Sequence, residues 1–145
     1  MKQLSQEALG PMLCFGNATL YVYDGGDEES MTAVLDFLHE KEVTKRKFDY
    51  RTIGGFEGCD PYVEDGQRVG VYQNKFHVFI NLAMANSEDL IHDVLPHELT
   101  HLAFDVTKFL HLPLEKSEPA AYTVGELNKK WLPLVQKEVE DWKNK

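Results

Sequence analysis

The stretch Val94-Leu95-Pro96-His97-Glu98-Leu99-Thr100-His101-Leu102 decides how this chain is read. It holds HELTH, an HExxH pentapeptide, inside an apolar run of helical period. Positions i and i+4 share a helix face, so His97 and His101 can address one metal ion. Glu98 lies about a third of a turn from His97. There a carboxylate reaches a water on the metal rather than the metal itself.

A catalytic zinc takes three protein ligands and keeps a further position for water, so the pair calls for another donor. Asp105, His111, Glu115 and Glu118 are the candidates. The metzincin pattern would put its third histidine at position 107, which is Thr107, and the glycine that pattern needs is missing. Asp105 shares a straight helix with the pair, which gives poor tetrahedral geometry, so it reads as a neighbour of the ligands or as surface. Glu118 is the strongest candidate. It opens a second helix after a turn long enough for the chain to fold back. Ala121, Tyr122 and Gly125 follow along the same face. The small residues there would let this helix approach HELTH closely. Glu115 is the fallback.

Working outward, residues 76–81 read as a strand in which Phe76, Val78 and Ile80 alternate with His77, Phe79 and Asn81. With residues 68–72 it reads as a hairpin around Gln73-Asn74-Lys75, with an edge open to an extended peptide. Ser87 is the expected N-cap of the following helix, whose stripe is Ile91, Val94, Leu95, Leu99, Leu102 and Val106. Pro96 either starts the metal helix or kinks a longer one. Ser117 is the expected N-cap of a helix over 118–130, with Pro119 in its first turn. A last helical segment, 131–145, follows with Leu134, Val135, Val139 and Trp142 at helical spacing after Pro133.

Toward the N-terminus, residues 12–23 read as a hairpin: a strand at 12–15, a Gly16-Asn17 turn and a strand at 19–23. The acidic, glycine-containing run 24–29 lacks EF-hand spacing and reads as a solvated loop before a helix N-terminus. Ser30 is the expected cap of that helix, with Met31, Val34, Leu35 and Leu38 on its apolar face and Phe37 alongside. Residues 48–53 read as a strand, and 54–66 as a long irregular segment bordering the cleft.

The 145 residues, 43 % hydrophobic and 27 % charged, suit one globular domain spanning 1–145. A net charge of −9, with Lys41, Lys45, Arg46 and Lys47 as the only basic cluster, argues against nucleic-acid binding. No apolar run reaches a membrane span, and MKQLSQEALG lacks the features of a secretory signal, which implies cytoplasmic residence and no membrane partner. Cys14 and Cys59 show no CxxC spacing, so they are expected as reduced thiols and not as a structural zinc site.

HELTH followed by Glu118-Pro119-Ala120-Ala121-Tyr122 resembles the gluzincin-type ligand set of ImmA/IrrE-like metallopeptidases. The Glu-Pro-x-Ala-Tyr-x-x-Gly version is also similar to small zincin-like proteins encoded by bacteriophages. The run from Ile80-Asn81 to Leu102 resembles the SprT-type strand-to-helix core, without that type's later histidine ligand. These likenesses span residues 76–127, roughly a third of the chain. They imply an α+β, minimal zincin-like domain, with a small, mostly antiparallel sheet packed on the HExxH helix and further helices C-terminal to it. They further imply Zn²⁺ on His97, His101 and Glu118, with Glu98 as general base and a protein or peptide as substrate.

Tyr122 is either a donor to the oxyanion or a core aromatic under the metal helix. His39, His77, His92 and His111 read as surface or core histidines, His77 being the one on the strand beside the site. Asp93 either orients His97 or lies on the surface. The function expected is zinc-dependent peptide-bond hydrolysis. The alternative is a catalytically silent zincin-like protein that binds a partner, in the manner of a phage accessory factor.

Overall fold

The alternation of Phe76, Val78 and Ile80 with His77, Phe79 and Asn81 asks for a strand covered on both faces, and the computed structural model provides it. The structure describes residues 1–9, 16–43, 49–60, 63–64, 67–68, 75–109 and 118–145, of which 63–64, 67–68, 108–109 and 119–120 as backbone only. In chain order the elements are β1 (Lys2–Ala8), β2 (Asn17–Tyr23), α1 (Glu28–Glu40), β3 (Gly55–Cys59), β4 (Val63–Glu64), β5 (Gln67–Arg68), β6 (Lys75–Asn81), α2 (Glu88–Phe109) and α3 (Glu118–Lys143). The fold is α+β: a mixed sheet ordered β1-β2-β6-β3, a separate β4-β5 ribbon and three helices.

β6 pairs parallel with β2, Tyr21 beside Phe79, and antiparallel with β3, Phe56 beside Phe79. It is therefore an interior strand, not the edge of a hairpin with residues 68–72. The expected open edge on it does not exist. Arg68 instead pairs with Val63, and residues 69–74 lie outside the described residues.

The two faces of the sheet carry separate cores. Ala18, Leu20, Val22, Phe76, Val78 and Ile80 meet α2 and α3 through Ile91, Leu95, Leu99, Leu102, Val106, Leu127, Trp131, Val135 and Val139. Tyr21, Tyr23, Phe56 and Phe79 meet α1 through Met31, Val34 and Leu38. Each such fully buried aliphatic or Phe side chain contributes about 1.5–3 kcal/mol. Phe79 stacks on Tyr21 at 4.8 Å and on Phe56 at 4.4 Å, so an aromatic ladder crosses three strands.

Several local expectations give way to this packing. The partner of β2 is β1, antiparallel, and Asn17 already lies in the strand opposite Ala8. The strand expected at 12–15 falls outside the described residues. Residues 50–54 are turns and bends rather than a strand, while 55–59 are a strand rather than irregular. Asp27, not Ser30, caps α1, accepting from the Ser30 N–H at 2.8 Å, while Ser30 Oγ accepts from the Asp24 N–H at 2.9 Å. Ser87 does cap α2, accepting from the Leu90 N–H at 3.2 Å. Both later helices run through their prolines, Pro96 in α2 and Pro133 in α3, so 118–143 is one helix. The residues whose carbonyls lose a partner, His92 and Lys129, lie on exposed positions where water can replace it. Ser117, Cys14 and residues 44–48, with most of the basic cluster, lie outside the described residues; Cys59 is a buried thiol.

Asn81 is fully buried and ties the C-terminal ends of β2 and β6 to the turn before β3. Its amide donates to the carbonyls of Tyr50, Arg51 and Ile53 at 3.3, 3.2 and 2.9 Å, and its oxygen accepts from the Gly25 and Ala83 N–H groups at 2.8 and 3.1 Å. Gly25 is required by the same contact, since a Cβ there would lie 2.5 Å from Asn81 Nδ2. Asn81→Ala is therefore expected to cost about 3 kcal/mol or more in urea unfolding, because it strands several buried backbone groups at about 1–3 kcal/mol each. A loss below about 1 kcal/mol would show that water replaces the amide.

Candidate functional site

α2 lies closely against Gly54 and Gly55, at the start of β3. A Cβ on Gly54 would sit 2.8 Å from Val94 Cγ2; one on Gly55 would sit 2.6 Å from the Phe79 carbonyl oxygen and 3.3 Å from Glu98 Cγ. This contact puts the stem of Glu98 on the β3 backbone and leaves the residue 6 % exposed. Burial raises its carboxyl pKa from 4.5 to about 7. Its ionisation is thereby moved into the neutral pH range.

His97 and His101 stand on the solvent side of the same turn, His97 exposed and His101 half-buried. Their Nε2 atoms are 3.3 Å apart, with the ring planes at 76°. Two nitrogens on a tetrahedral zinc, each at about 2.0–2.1 Å, are about 3.3–3.4 Å from one another. The pair thus has the spacing of two edge-sharing ligands, a test that the residues pass. Glu98 Oε1 lies 4.0 Å from His97 Nε2, beside the pair. His97, Glu98 and His101 are therefore brought together.

Glu118 does not join them in a three-residue group. Among the described residues no group of three or more His, Cys, Asp or Glu side chains is disposed to hold a metal ion, and Glu118 is exposed at the start of α3. His111 and Glu115 lie outside the described residues. Tyr122 is 70 % exposed, which overturns its reading as a core aromatic. The small-residue face of α3 is not the one that meets α2: Ala121 is exposed and a Cβ on Gly125 would meet nothing within 4 Å. The face carrying Leu127, Trp131, Val135 and Val139 packs there instead, since it buries far more apolar area than alanine and glycine can offer.

The remaining titratable candidates separate cleanly. His77 is on the α1 side of the sheet, not beside HELTH. Its Nε2 is 2.7 Å from Asp60 Oδ1, and Nδ1 is 3.5 Å from the Tyr21 hydroxyl, against the edge of Phe37. Burial pushes the imidazole pKa below 6.5, opposed by Asp60. It is a core histidine. His39, His92 and Asp93 are exposed, His92 lying 3.7 Å from Glu88 Oε1, and Asp105 is half-buried. The residues that reading the sequence did not single out are Gly54 and Gly55. Their signal was a Gly-Gly pair directly before an apolar Phe56.

No known protein family, curated protein or solved structure matches this chain.

The burial of Glu98 makes a prediction for the metal-free protein. With a folded pKa of about 7 against 4.5, the native state holds the proton longer, so ionisation of Glu98 costs stability. That cost is absent below about pH 4.5 and complete above about pH 7. The stability of Glu98→Gln relative to the parent should rise by about 3 kcal/mol between pH 4 and pH 8 in urea titrations. A pH-independent difference would contradict the burial argument.

Proposed function

We propose that this chain is a zinc-dependent metallopeptidase of minimal zincin-like design, acting on a protein or peptide. His97 and His101 would hold the ion, and Glu118, which the structure leaves outside any three-residue group with them, would join as the third donor on metal loading. The observation that carries the reading is a carboxyl of pKa about 7, Glu98, buried beside two imidazole nitrogens 3.3 Å apart. The gluzincin-like motif in the sequence supports it. Held by His97 and His101, a zinc ion would supply Lewis-acid chemistry, lowering the pKa of a water and polarising a carbonyl.

Glu98 then takes a proton from the attacking water and returns it to the departing amine. A pKa near neutrality suits both transfers, because neither protonation state is strongly preferred at working pH. Its burial against Gly55 fixes the carboxyl on the protein side of the pair and keeps the solvent side clear for substrate. Tyr122, exposed on α3, keeps its hydroxyl available as a donor to the oxyanion. The extended-peptide edge belongs to β3 rather than β6: among the described residues no strand lies on its outer side. β3 also touches Glu98 directly, so a peptide added there runs beside the histidines.

The test is zinc content and peptide-library digestion on the same preparations. Glu98→Gln should keep its zinc and lose at least about 100-fold in turnover. His97→Ala and Glu118→Ala should lose the metal. Turnover by Glu98→Gln at the parent rate would rule out its role as base, and unchanged zinc affinity in Glu118→Ala would remove it from the ligand set. Stoichiometric zinc with no hydrolysis by the parent protein would favour the binding-protein alternative.

A further inference from the structure

β1 is an edge of the sheet: β2 pairs with one side of it, and among the described residues no strand lies on the other. Edge strands resist self-pairing with proline, unmatched charge or a bulge that breaks the ladder. β1 has no proline, and its charges and its bulge are arranged symmetrically. The run Lys2-Gln3-Leu4-Ser5-Gln6-Glu7 is its own complement about the Leu4–Ser5 bond, lysine against glutamate and glutamine against glutamine. The bulge falls at that midpoint, with Gln3 opposite Tyr21 and Ser5 opposite Leu20. Because of it Lys2 and Glu7 share a face: they oppose Val22 and Ala18, both in the core beneath α2 and α3. Gln3 and Gln6 oppose Tyr21 and Thr19, on the other face.

α3 repeats the pattern beside this strand. Lys130 Nζ lies 3.4 Å from Glu7 Oε2, and Glu138 Oε1 accepts from Lys2 Nζ at 2.6 Å. Leu134 stands one turn from each of these residues, level with the middle of β1, and is 39 % exposed. The stripe Lys130–Leu134–Glu138 is thus also its own complement, with an apolar side chain at its centre.

We infer that this edge is the interface of a two-fold homodimer, in which β1 pairs antiparallel with β1 of a second copy and Leu134 meets its counterpart across the axis. Lys2 of each copy then opposes Glu7 of the other, Gln3 opposes Gln6, and the two bulges meet at the axis. The same axis brings Lys130 of each α3 to Glu138 of the other. Pairing supplies partners to the backbone groups along the open edge and removes Leu134 from water. The two four-stranded sheets become one, with β3, which touches Glu98, at each outer end. The dimer is independent of the zinc reading.

Sedimentation equilibrium of the full chain tests it, and the parent should sediment at twice the chain mass at about 0.1 mM. Gln3 and Gln6 are exposed, so charging them leaves the fold intact, which circular dichroism checks. Gln3→Lys/Gln6→Lys sets like charges opposite one another on both sides of the axis and should weaken association at least about 10-fold. Gln3→Glu/Gln6→Glu should do the same. An equimolar mixture of these two variants should associate again, because each introduced lysine then opposes an introduced glutamate. Leu134→Lys should also weaken association at least about 10-fold. A parent that stays monomeric at that concentration overturns the inference. So does a dimer that survives the like-charge variants or Leu134→Lys, or a mixture that fails to associate.

Discussion

The helix carrying His97 and His101 packs closely on Gly54 and Gly55, which present no side chain to it. Any Cβ at those positions would enter the space of Val94, the Phe79 carbonyl or Glu98. The rest of the site depends on that contact. It brings Glu98 onto the strand backbone, strips water from its carboxyl and lifts its pKa toward neutrality, while the histidines on the same turn stay in solvent. One helix thus places an acid in low dielectric beside one exposed and one half-buried imidazole, a difference produced by packing alone.

The polar groups that the fold buries do different jobs. Asn81 satisfies backbone groups and is itself satisfied, so it fixes the turn from which β3 departs. His77 sits in the aromatic layer with Asp60 and Tyr21 on its two nitrogens, a polar chain closed within the core. Glu98 has burial as the cause of its shifted pKa, so it carries a penalty at neutral pH that the other two avoid. A group held at such a cost beside paired histidines is characteristic of a site rather than of a scaffold.

What could be read from the sequence follows from what each element buries. β6 was legible because Phe76, Val78 and Ile80 alternate with a differently composed face, and α2 because its apolar stripe from Ile91 to Val106 has helical period. The HExxH spacing gave the histidine pair directly. β1 was not legible: Lys2–Ala8 is a mostly polar edge strand, held by pairing with β2 and by Lys2–Glu138 and Lys130–Glu7 ion pairs. β3 looked like a loop because its glycines, which serve the approach of α2, are also loop formers. The parallel β2–β6 pairing and four of the five hydrogen bonds of Asn81 join residues far apart in the chain, which no local pattern encodes. On α3 the small residues suggested a close helix contact, but the bulk of Trp131 and its neighbours decided which face is buried.

The central claim is that His97 and His101 together bind zinc while Glu98 stays outside the ligand set. X-ray absorption at the zinc edge on the metal-loaded chain tests it most directly. The account predicts two imidazole ligands with zinc–nitrogen distances of about 2.0–2.1 Å. Their scattering signature should vanish in the double variant His97→Ala/His101→Ala and persist in Glu98→Gln. A bound zinc without imidazole scattering, or one whose spectrum changes on Glu98→Gln but not on loss of the histidines, would contradict it.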